Sequence, residues 1–85
     1  MNNLAKAIIG AVAFLEFSDD DIVDPDAAVQ AMEDIAAALQ KASPEELAAL
    51  RAELDRELQA QVERGASEGV QNFYKQFLDN LCIPD

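Results

Sequence analysis

The side chains with most chemistry to offer in this sequence are carboxylates, and they are bunched. Glu16, Asp19, Asp20, Asp21, Asp24, Asp26, Glu33 and Asp34 all precede Lys41, and no Lys or Arg occurs between Lys6 and Lys41. Residues 7–40 therefore carry eight acids and no base, most of the formal net charge of −11. Carboxylates at this density can ligate a hard cation, run acid–base catalysis or attract a cationic surface. Asp19, Asp21, Asp24 and Asp26 offer several of the roughly six to eight oxygens that Ca²⁺ takes. The spacing is not that of a Ca²⁺ loop, however: no Gly stands at the turn position and no Glu closes a twelve-residue loop. No metal is expected. Catalysis by a carboxyl pair needs two groups with separated pKa values in a sheltered cleft. The 17 acids of this chain make many pairs by chance, and nothing in the sequence marks one of them as sheltered. Histidine is absent, and with it the commonest general base and zinc ligand. There is no nucleophile–base pattern and no Gly-rich phosphate loop. The expectation is a protein that is not an enzyme and has no cofactor.

What remains is recognition. Clustering like charge costs self-repulsion, which a basic partner relieves, and it steers fast association. Affinity also needs apolar anchors, and Phe14, Phe17, Ile22 and Val23 flank the acids. The expected partner-binding set is Phe17, Asp19, Asp20, Asp21, Ile22, Asp24 and Asp26, with Glu16, Glu33 and Asp34 at its rim. The alternative is that the acids only keep the protein soluble.

The bulk properties set the frame. Eighty-five residues make one domain, residues 1–85, and the 51% apolar content suffices for a core and argues against disorder. The negative charge and a pI of about 4.1 disfavour nucleic acid and anionic membranes as partners. Cys82 is the single cysteine, so there is no internal disulfide. Between Leu81 and Ile83 it reads as a small core plug. The apolar run from Ala7 to Leu15 is too short to span a bilayer, and its Ala11-Val12-Ala13 triplet falls inside the run, not after it as in a cleaved signal. A cytoplasmic protein is expected.

Four helices must position these groups. Residues 3–16 carry Leu4, Ile8, Ala11, Val12 and Leu15 on one helical stripe, with Ile9 and Phe14 off it, so the first helix is apolar on more than one side. Residues 17–24 form the acidic connector. Asp24 and Pro25 are start signals for a second helix to about Lys41, with Ala28, Val29, Met32, Ile35, Ala36 and Leu39 on its apolar face. Ser43-Pro44-Glu45-Glu46 predicts a capping box. The third helix follows, with Leu47, Leu50, Leu54, Leu58 and Val62 inward. Arg51 with Asp55, and Glu53 with Arg56, lie on its solvated outer face. Gly65 stops it, Ser67 caps the next, and a fourth helix runs from about Glu68 to Leu81 with Val70, Phe73, Tyr74, Phe77, Leu78 and Leu81 inward. The fold class is all-α: an up-and-down bundle of four helices, or three with a bent long one.

Two family likenesses bear on function. Small size, acidity and four helices resemble acyl carrier proteins in gross properties. That family attaches phosphopantetheine to a Ser in an Asp-Ser-Leu type motif, and neither Ser18, Ser43 nor Ser67 stands in one. By contrast, the run from Ala13 through Glu16, Phe17 and Asp19-Asp20-Asp21 to Pro25 and Val29, followed by Ser43-Pro44-Glu45-Glu46, resembles small bacterial helical proteins. The chain also resembles, in type, the immunity proteins of interbacterial toxin systems such as type VI secretion effectors. The likeness covers about residues 13–46 and transfers no functional residue. The resemblance implies a cytoplasmic inhibitor, an antitoxin whose partner is a cognate toxin; the charge pattern independently implies a basic partner, such as the Lys- and Arg-lined site of a nucleotide- or nucleic-acid-handling toxin. The alternative is a structural module that self-associates as a homodimer through Ile9 and Phe14 on the first helix.

Overall fold

The computed structural model describes residues 3–83. It is a small all-α bundle: α1 (Asn3–Phe17), α2 (Pro25–Gln40), α3 (Pro44–Glu63), α4 (Glu68–Lys75) and a single turn, α5 (Phe77–Asn80). Helix α3 packs on α1 and α4, and α1 packs on α2. The bundle is flattened, 34 × 34 × 21 Å, so few side chains leave solvent entirely. The core comprises Ala5, Ile9 and Val12 of α1, Leu39 of α2, Leu50 and Leu54 of α3, and Phe73, Phe77, Leu81 and Ile83 toward the C-terminus.

The starts of the helices follow from local chemistry. Asp24 accepts a hydrogen bond from the Ala27 amide at 3.1 Å, and Pro25 opens α2. Ser43 and Glu46 complete the capping box: the Glu46 amide donates to the Ser43 hydroxyl at 3.1 Å, and the Ser43 amide to the Glu46 carboxylate at 2.8 Å. Ser67 caps α4 through the Val70 amide.

Two helix ends use the same device with different residues. At the end of α3 the Ala66 amide reaches back to the Gln61 carbonyl and the Gly65 amide to that of Val62, with Gly65 at φ 74. At the end of α5 the Ile83 amide reaches Leu78 and the Cys82 amide reaches Asp79, with Cys82 at φ 58. Both are Schellman closures, which need a left-handed residue just past the helix. Gly65 ends α3 outright, so α3 and α4 are separate helices and not one bent helix.

Several expectations are corrected. Cys82 is exposed, not a core plug: as the left-handed residue of its closure it points out while Ile83 turns in. The fourth helix is broken at Gln76, whose φ of −105 and ψ of 5 leave the helical region. On α1 the buried stripe is Ala5, Ile9 and Val12, one position round from the expected one, and Leu4 is 77% exposed. A helix apolar on all sides does not reveal its own phase. Here small Ala5 is turned inward. Ile9, expected at a self-association surface, is 1% exposed and belongs to the core. Val29 and Val62, expected inside, are exposed. Glu53, expected on the outer face of α3, is buried.

Candidate partner-binding face

The acidic connector is held by its own backbone. The Ser18 amide and hydroxyl both donate to the Phe14 carbonyl, which closes α1. The Ile22 and Val23 amides both donate to the Asp19 carbonyl, at 2.9 and 3.1 Å, folding residues 19–23 into a tight turn. Asp24 then caps α2, and the positive end of that helix suits Asp26 in its first turn. Two backbone hydrogen bonds thus close the turn, and its acidic side chains are left to solvent. Glu16, Asp19, Asp20, Asp21, Asp24 and Asp26 are all exposed. Among the described residues none of them is ion-paired to a base. Two hydrophobics stand out beside them, Phe14 at 55% and Ile22 at 68% exposed. Phe17 is also half out of the fold, but one side of its ring rests on Phe73 of α4, centroids 5.2 Å apart. It therefore anchors the end of α1 while still offering a face to a partner.

The expected set does not all share one surface. Glu33 and Asp34 lie on α2 about 10–15 Å beyond the turn, at ~1.5 Å per residue. Asp34 accepts from Gln30 at 3.0 Å. Glu33 borders a shallow groove of about 440 Å³ with Val29, Met32, Leu81 and Cys82. Asp24 is committed to its cap, so a change there disturbs α2 as well as charge. Asp19, Asp20 and Asp21 are the acids of the turn whose side chains do nothing else described. Among the described residues no three carboxylate, thiol or imidazole groups converge as metal ligands do.

A second group of carboxylates lies elsewhere. Glu53 is 1% exposed and is the buried charged residue of the core. Arg56, itself largely solvated, brings its Nη2 to 3.1 Å from Glu53 Oε1. The approach is off the hydrogen-bonding direction, so Oε1 is ion-paired without accepting a hydrogen bond. Glu57, one turn on, also has a buried oxygen, Oε2, without a hydrogen-bond partner. Burial pushes the Glu57 carboxyl above the ordinary Glu value and the Glu53 charge pushes it further, against the opposing pull of Lys6 and Arg56. Burial likewise raises the Tyr74 phenol, with the charge of Glu57 adding to it. The signal was available in the spacing: Leu50, Glu53, Leu54 and Glu57 follow the 0, 3, 4, 7 pattern of one helical face.

A third feature is apolar. Leu4, Ala5, Ile8, Leu39, Leu47 and Leu50 contribute to an open groove of about 530 Å³ between α1, the end of α2 and the start of α3. Among the described residues no helix is long and apolar enough to cross a membrane. Comparison with family models, with curated proteins and with solved structures finds no match for this chain.

Proposed function

We propose that this is an immunity or antitoxin-type protein that binds a cationic toxin through the connector between α1 and α2. One observation carries the reading: an exposed turn closed by two backbone hydrogen bonds presents Asp19, Asp20 and Asp21, with no ion pair to a base among the described residues, beside solvent-facing Phe14, Phe17 and Ile22. Charge of one sign steers encounter, and exposed aromatic and aliphatic side chains supply the desolvated contact that holds the complex. Toxins that act on nucleotides or nucleic acids hold phosphates with Lys and Arg. A run of carboxylates fits such a site as a phosphate mimic and occludes it. In this reading the protein is not an enzyme, acts in the cytoplasm and needs no cofactor.

The test begins with tagged protein recovered from the native cell at low and high salt, with bound proteins identified by mass spectrometry. One basic protein in stoichiometric amount is expected, and its own chemistry names the inhibited reaction. Reversing Asp20 and Asp21 to Lys then slows association about tenfold or more at low salt, and the wild-type rate falls steeply as salt rises. An unchanged rate in the double variant overturns this face as the contact.

The alternative, a self-associating module, draws support from a different place than the sequence suggested. With Ile9 in the core, the exposed Leu4 and the groove beside it are the surface available for a second copy. Sedimentation distinguishes the two: a tight homodimer weakened by Leu4→Asp, with no basic partner recovered, favours the module.

A further inference from the structure

We propose that Glu53 and Glu57 share one proton in the folded chain, which makes the junction of α1, α3 and α4 a proton-sensitive latch. The latch is tightest with the proton bound and loosens when both carboxyls are charged. This goes beyond partner binding and does not depend on it.

The argument starts from position. The two residues are one helical turn apart on α3, so their side chains lie on the same face. Glu53 is buried among the core leucines of α3; its Oε1 is ion-paired to Arg56 but accepts no hydrogen bond, and Glu57 Oε2 is buried with no hydrogen-bond partner. Two carboxylates in such a place oppose each other's ionisation, because burial and like charge both disfavour the second negative charge. A single proton answers both problems. The O–H of one carboxylic acid donates to the carboxylate of the other, a charge-assisted bond of the strong kind.

The neighbours set the balance. From α1, Lys6 favours the charged form of Glu57; from α3, Arg56 does the same; and the charge of Glu53 and the burial outweigh them. From α4, the Tyr74 phenol feels the charge of Glu57, against the opposing pull of Arg64 from the end of α3 and of the Gln61 side chain. With one proton the pair carries a single charge opposite Arg56 and Lys6. Without it a second charge is forced between α1 and α4. The sign is fixed by the raised Glu57 carboxyl. Its contribution to stability is fully present below the ordinary Glu value and is lost as pH rises through the raised one.

The latch also lies beneath the aromatic contact that fixes the connector. Tyr74 is edge-on to Phe73 at 5.1 Å, and Phe73 carries Phe17. Loosening of α4 is therefore felt at the end of α1.

Carboxyl-carbon NMR of the intact protein tests the pair directly. Glu57 is expected to titrate with a midpoint above the ordinary Glu range. Thermal melts between about pH 5 and 8 test the consequence. The wild type loses Tm toward the upper end, and Glu57→Gln removes that loss, by about 4 °C or more for a domain of this size. Glu63→Gln removes the same unit of charge from an exposed site on α3 and keeps the wild-type slope. A Glu57 midpoint in the ordinary range, or a Glu57→Gln slope equal to that of the wild type, overturns the proposal. Should Glu57→Gln fail to fold, the NMR titration of the wild type decides.

Discussion

Two groups of carboxylates on one chain are handled in opposite ways. The acids from Glu16 to Asp26 stand in solvent around a turn closed by two backbone hydrogen bonds. Glu53 and Glu57 sit one turn apart on α3, with buried oxygens that accept no hydrogen bond. In the connector the charges are many and each is hydrated, so repulsion is screened and the surface is available to an outside base. In the α1–α3–α4 junction the charges are few and poorly hydrated, so one proton changes the balance. The number of acids alone does not tell the two apart. Helical phase does: residues 19–23 belong to no helix, whereas Glu53 and Glu57 fall on the face that carries Leu50 and Leu54.

The largest break in this comparison comes from removing what the junction packs around. Phe73 touches Phe17, Tyr74 and Phe77, with ring centroids 5.1–5.6 Å apart. Phe73→Ala is expected to cost about 3–5 kcal/mol, a large share of the stability of a domain this small. Ile22→Ala, in the exposed connector, is expected to stay within about 0.5 kcal/mol. Chemical denaturation of the two variants measures both. Equal losses would mean that the connector is part of the core.

How much of this was legible in the sequence depends on which physical signal a residue carries. Caps were readable because their chemistry is local: Asp24-Pro25 and Ser43-Pro44 start helices where their side chains predict. The connector was readable because charge segregation survives folding. The phase of α1 was not, since Leu4, Ile8, Ile9, Val12 and Leu15 supply apolar residues on every side and only packing against α2 and α3 chooses among them. Glu53 was misplaced because its spacing to Arg56 suits a solvated pair as well as a buried one. The spacing of Glu53 and Glu57 to Leu50 and Leu54 was the better guide. Cys82 was misplaced because flanking apolar residues say nothing about a left-handed turn.

That turn yields the next prediction, a smaller one. Gly65 and Cys82 occupy the same step of the same closure, yet the left-handed region costs a residue with a Cβ roughly 1–2 kcal/mol more than it costs Gly. Gly65→Ala is expected to destabilise by about 1 kcal/mol, and no steric contact complicates it, since a Cβ at Gly65 meets open space. Cys82→Gly is expected to move stability the other way, by less, because the added backbone freedom of the unfolded chain offsets part of the relief. Melting curves of the two variants in reducing buffer read both signs. A Cys82→Gly protein less stable than wild type would mean that the thiol makes a contact worth more than the strain.

The smallest effect sharpens the comparison within a single helix. Glu46 and Glu57 both belong to α3, but their environments push them in opposite directions. The backbone amide of Ser43, and then its hydroxyl, hold the Glu46 carboxyl below the ordinary Glu value. Burial and the Glu53 charge hold that of Glu57 above it. For Glu46 the linkage runs so that its contribution is present above the ordinary Glu value and lost as pH falls through the lowered one. For Glu57 the contribution is present at low pH and lost on the way up. Glu46→Gln should therefore lower Tm slightly at neutral pH and match the wild type in acid, while Glu57→Gln should raise Tm at neutral pH and match the wild type in acid. Glu46 is fully exposed, so its effect is the weaker and shrinks as salt is added; that of Glu57 is shielded from salt by burial and persists. Melts of the two variants at two pH values and two salt concentrations separate the cap from the latch. Effects of the same sign at neutral pH would mean that general charge repulsion, and not local environment, governs both residues.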